Sequence, residues 1–167
     1  MDGARGDSAA NEERLRAAVG PRADYYLKHW AAMDASGKKS DWNWAACFAN
    51  LYWLAFRKMW LALVLFILAN IVVSLPGALV PALNKYTIVL MIGLTFVTGS
   101  YGNLFYRRQT EKLVASDAPI EQLRRRGGTS PLALIVALGL SVGLGALSIG
   151  PALKQIQAER AARLHSP

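Results

Sequence analysis

Ser40–Trp60, SDWNWAACFANLYWLAFRKMW, holds four of the chain's five tryptophans together with Phe48, Tyr52 and Phe56. It ends in an Arg57-Lys58 pair at the threshold of a long uncharged apolar run. Asn43, Asn50 and Arg57 recur every seven residues, which on a helix is one narrow stripe drifting about 20° per heptad. Nearly everything else in the window is apolar, so the pattern predicts an amphipathic helix over 42–58 with a wide apolar face. Trp42 to Phe56 would extend roughly 22 Å as a helix. A hydrocarbon core is about 30 Å thick, so this helix is expected to lie along a membrane surface. Indole rings favour the headgroup region, and Trp42, Trp44, Trp53 and Trp60, with Arg57 and Lys58, are the expected interface anchors.

Three runs downstream have spanning length and carry no ionised side chain: residues 59–80, 86–106 and 131–153. The fold expected is therefore all-α, an integral membrane protein with an interfacial helix followed by three transmembrane helices. Residues 1–20 are polar and read as a disordered tail. Residues 21–153 form the membrane domain and 154–167 a basic helical tail. No apolar segment of signal-peptide length stands at the amino terminus.

The net charge of +8 admits either nucleic acid or an anionic membrane face, and the apolar runs select the membrane. With the amino terminus cytoplasmic, ten basic residues lie inside: Lys38, Lys39, Arg57, Lys58, Arg107, Arg108, Lys112 and Arg124–Arg126. Lys85, Lys154, Arg160 and Arg163 fall outside. Basic residues are retained on the cytoplasmic side, so this orientation is expected, with the carboxyl terminus outside.

Chemistry-bearing motifs are sparse. Cys47 is the single cysteine, which excludes an intrachain disulfide and a cysteine metal cluster. His29 and His165 show no ligand spacing. The sequence contains no phosphate loop and no nucleophile–base constellation, so no cofactor, metal or catalytic residue is assigned. Thr95 with Gly99, and Gly139 with Gly143, are small-x-x-x-small pairs that let helix backbones approach closely. They read either as packing of the second span on the third or as a homo-oligomer contact. Thr98 and Asn103 mark a candidate polar path, or else hydrogen bonds to neighbouring helices.

YYLKHW (Tyr25–Trp30) followed by the tryptophan-rich window resembles the domain of unknown function 2628 family of small bacterial membrane proteins. Trp44, Ala45, Ala46, Phe48, Trp53, Leu54, Arg57, Lys58 and Met59 fall on that family's pattern. The resemblance runs from about Tyr25 to Tyr106 and implies a bacterial inner-membrane protein, without supplying an activity. The family often has Gly-Pro where this chain has Asn50-Leu51, so a helix broken there in relatives is expected to run on here. The function expected is a non-enzymatic accessory or scaffold subunit of a membrane complex, its partners the bilayer and another membrane protein or a second copy. The alternative is a lipid-binding or small-solute channel-like oligomer.

Overall fold

A computed structural model describes the backbone of residues 2–164 and side-chain surroundings chiefly over 6–146. The described residues form helices joined by short links, with no strand among them. In chain order these are α1 (Asp2–Val19), α2 (Ala23–Ser36), α3 (Trp44–Phe48), α4 (Asn50–Phe56), α5 (Trp60–Leu79), α6 (Asn84–Val114), α7 (Ile120–Arg126) and α8 (Pro131–Leu164).

Three helical stretches are long and apolar enough to cross a membrane, in α5, α6 and α8. Their side chains face outward over most of that length: no residue of α5 is buried. Such faces are stable only where the surroundings are themselves apolar. α5 and α6 form an antiparallel hairpin through a 3-10 turn at Pro81–Leu83. α6 continues past the expected boundary at 106 as far as Val114. α8 runs without interruption through 153 to Leu164, so the 154–164 part of the basic tail extends the third helix. Residues 165–167 of that tail lie outside the described residues.

At one end of these helices the remaining elements build a polar-surfaced head. Its core joins Val19, Tyr26, Trp30, Met33, Ala46, Trp53, Leu54, Met59 and Tyr106. A second cluster, around Leu123, joins Ala17, Ala18, Val114 and Ala118. The amino-terminal segment expected as a disordered tail is thus corrected. α1 is helical, and Ala17, Ala18 and Val19 are buried. The small apolar end of α1 fits closely against the α7 region, where Gly128 N–H donates to Ala18 O at 2.7 Å. Gly20 ends α1 at φ 68°, and a Cβ there would meet Gly128 Cα at 3.2 Å. That combination of left-handed backbone and close approach requires glycine.

The single interfacial helix over 42–58 is also corrected. The chain bends at Ala49 (φ −109°, ψ 26°), dividing the segment into α3 and α4. Trp53 N–H still donates to Ala49 O across the bend. The Asn50 side chain accepts from the Leu51 N–H at 2.6 Å, a local bond of the kind that competes with regular helix. The break therefore occurs without Gly-Pro. It turns α3 onto the middle of α6 while Trp53, on α4, enters the head core.

Candidate functional site

The Asn43–Asn50–Arg57 stripe faces the protein's own interior at both ends. Asn43 is buried and caps α3, its Oδ1 accepting from Ala46 N–H at 2.9 Å. Its Nδ2 donates to Asn103 Oδ1 at 2.8 Å, and Asn103 Nδ2 donates to Asp41 Oδ2 at 3.0 Å. Asp41 also bonds His29 Nδ1, and His29 lies against the Tyr25 ring with centroids 4.2 Å apart. A polar chain thus ties α2, the α2–α3 link, α3 and α6 together. His29, which sequence spacing leaves without a role, belongs to it. The candidate polar-path residues are committed to internal bonds: Asn103 to this chain, and Thr98 Oγ1 as donor to Leu94 O at 2.9 Å.

Arg57 is the second focus. The sequence makes it a lipid-facing anchor, yet it is 3% exposed. Its guanidinium carbon lies 4.4 Å from the Tyr26 ring centroid and 5.2 Å from that of Tyr106. Nη1 donates to Val19 O and to the Tyr106 hydroxyl, each at 3.4 Å. Nε is buried without a hydrogen-bond partner. Among the described residues Arg57 makes no ion pair. Two aromatic faces offset part of the cost of burying a cation, about 2 kcal/mol where such a contact is desolvated. Leaving a buried charge without an anion remains costly.

Lys58 does not stand free at a phosphate layer either. Its Nζ donates to Arg125 O at 2.9 Å, and Gln109 Nε2 donates to its carbonyl at 3.2 Å. Lys58 takes φ 54°, so the chain turns sharply into Met59 and α5. The elbow is fixed by protein contacts. Trp53 is likewise internal, at 6% exposure in the head core.

Within the tryptophan-rich window the exposed aromatics are Trp44, Phe48 and Trp60. Trp44 stacks on Phe48, and Trp42, half-buried, bridges Trp44 and Phe96 of α6. Of the six expected anchors, Trp44 and Trp60 are exposed, Trp42 and Lys58 half-buried, and Trp53 and Arg57 buried.

The two small-residue pairs part company. A Cβ on Gly99 would meet Cys47 Cβ at 2.8 Å, so Gly99 seats α3 on α6. Its pair-mate Thr95 is half-exposed and bonds back to Ile92 O. A Cβ on Gly139 or Gly143 would meet nothing within 4 Å. Among the described residues α8 packs on α4 alone and makes no contact with α6.

Between α2, α4 and the start of α8 lies a cavity of about 520 Å3. Arg22, Tyr25, Tyr52 and Arg57 give it a polar wall, and Trp44, Phe56 and Leu134 an apolar one. Arg22 holds φ 71° at the start of α2, fixing where its side chain departs. On the other side of α2, Arg107 forms a two-toothed ion pair with Asp34 at 2.6 and 2.9 Å. That guanidinium holds the Asp34 carboxyl below its ordinary range. A depressed folded pKa contributes stability at neutral pH that disappears as pH falls through it. Acid unfolding of Asp34→Asn should accordingly begin from a slightly lower stability and depend less on pH below about 4. A pH series of unfolding midpoints checks this.

No curated protein and no solved structure matches the chain. A family model does, over residues 11–112, which run from the second half of α1 through nearly all of α6 and leave α7 and α8 outside. That match covers more than half of the chain and includes Asn43, Arg57 and Asn103; the chain belongs to the family described as protein of unknown function (DUF2628).

Proposed function

We propose that the protein is a non-enzymatic accessory or scaffold subunit of a bacterial inner-membrane complex, with the head and amino terminus on the cytoplasmic side. The observation that carries this reading is the isolation of α8. It leaves the head from α4 with its apolar side chains outward and its Gly139–Gly143 face open. A close-approach glycine face without an internal partner suits a helix from another subunit. The head supports the reading by gathering the basic loops at one end of the three apolar helices, as cytoplasmic retention requires.

The test is mild-detergent co-purification at native expression level, comparing the natural chain with Gly139→Leu/Gly143→Leu. A partner or second copy should come with the natural chain and fall about tenfold in yield with the double variant. Recovery of monomer alone from the natural chain, under conditions that keep other complexes intact, counts against the proposal. Topology is checked separately. A fluorescent-protein fusion in the 107–130 loop should glow, and an alkaline phosphatase fusion at residue 167 should be active. Cytoplasmic behaviour at both positions contradicts a third crossing.

A further inference from the structure

We infer that the cavity between α2, α4 and the start of α8 binds an anionic phosphate group. Its lining contains two arginines, Arg22 and Arg57, and no carboxylate. Arg57 is almost wholly buried, and its Nε finds no acceptor among the described residues. The Nη1 contacts are long, at 3.4 Å, and go to neutral oxygens. The cation is thus held in place by aromatic rings and the end of α1, with no anion within ion-pair distance among the described residues. A planar guanidinium fork matches a phosphate, and Tyr25 and Tyr52 line the same cavity.

Position narrows the chemistry further. Leu134 lies in the first turn of the uncharged part of α8, and exposed Trp44 flanks the opposite side. The cavity therefore stands where the head meets the apolar helices, the level at which tryptophans sit among headgroups. About 520 Å3 accommodates a phosphate with its ester substituents, while acyl chains would continue along the outward apolar face of α8. A lipid headgroup and a soluble phosphate ester share this recognition, and the experiment separates them.

Full-length protein is reconstituted into nanodiscs of phosphatidylcholine, with or without phosphatidylglycerol, and its thermal midpoint is recorded in each. A parallel titration with sodium phosphate is made in phosphatidylcholine discs. Phosphatidylglycerol or phosphate should raise the midpoint of the natural chain. Arg57→Met should weaken the fitted affinity about tenfold, which corresponds to about 1.4 kcal/mol. Because Arg57→Met also removes a core contact, the exposed Arg22→Gln provides a second reading and should weaken it severalfold. Arg124→Gln/Arg125→Gln/Arg126→Gln removes comparable charge away from the cavity and should leave the specific rise in place. A response to phosphatidylglycerol alone assigns a lipid, and a matching response to phosphate assigns a soluble anion. No response in the natural chain, an unchanged response in Arg22→Gln, or its loss only in the triple variant overturns the site.

Discussion

Replacing Asn103 with leucine should lower the stability of the protein by about 3 kcal/mol, although an apolar residue would then stand in an apolar run. Asn103 is fully buried, and its amide both accepts from Asn43 and donates to Asp41. Leucine removes both bonds and leaves the buried Asn43 Nδ2 without an acceptor. Each orphaned buried group costs about 1–3 kcal/mol, and overpacking beside Asn43 adds to that. In a chain of this size the melting midpoint should fall on the order of 10 °C. Asn43→Leu should cost as much or more, since it also removes the α3 cap. The double variant should cost less than the sum of the two, because the shared bond can be lost only once. Thermal unfolding of the three variants in one detergent measures the coupling. Were Asn103 to line a hydrated path or face lipid, leucine would be neutral or stabilising, and a midpoint within a degree of the natural chain would refute the polar network as a structural tie.

The contrast between spans and head explains what the sequence could disclose. A helix long and apolar enough to cross a membrane is legible because that requirement is one-dimensional, enough uncharged length, and α5 matches its expected bounds within a residue or so. The heptad stripe is legible too, but a periodicity names a face without naming what covers it. Asn43 meets Asn103 across 60 residues of chain, and Arg57 meets Tyr106 across 49. One sequence offers no local signal for either meeting. The tryptophans were ambiguous for a related reason. An indole satisfies the same amphipathic requirement at a headgroup layer or beneath a tyrosine; Trp44 is exposed, while Trp53 is buried against Tyr106. His29 shows no role in the sequence because its partner, Asp41, lies 12 residues away beyond a loop. α1 lacks an apolar stripe of ordinary width, so its small buried end, Ala17–Val19, reads as tail until α7 is beside it.

Gly102, like Gly99, is a tight juncture between the two regimes, and a pair of substitutions should show that α3 is seated there by steric fit. A Cβ on Gly102 would fall 2.8 Å from Ala46 Cβ and 3.5 Å from the Trp53 ring. Real Cβ atoms do not approach so closely, so Gly102→Ala must push α3 away from α6 or bend one of them. In isolation the change favours the helix by about 1 kcal/mol. Overpacking costs typically about 1–3 kcal/mol and acts against that gain, so the single variant should be destabilised by about 1–2 kcal/mol net. Larger side chains should do worse, Gly102→Leu exceeding the upper end of that range. Ala46→Gly vacates the space on the opposite wall at a helix cost of about 1 kcal/mol. Combining it with Gly102→Ala moves one methyl across the interface, exchanges the two propensity terms and removes the clash. The double variant should therefore return to within about 0.5 kcal/mol of the natural chain, a favourable coupling of about 2 kcal/mol. Cys47 provides an independent reporter, being buried and the only thiol. Maleimide labelling of Cys47 should be slow in the natural chain, faster in Gly102→Ala and slow again in the pair. Additive stabilities with unchanged labelling would mean that α3 is held on α6 by its polar bonds alone, and that the glycine at 102 is incidental to the seat.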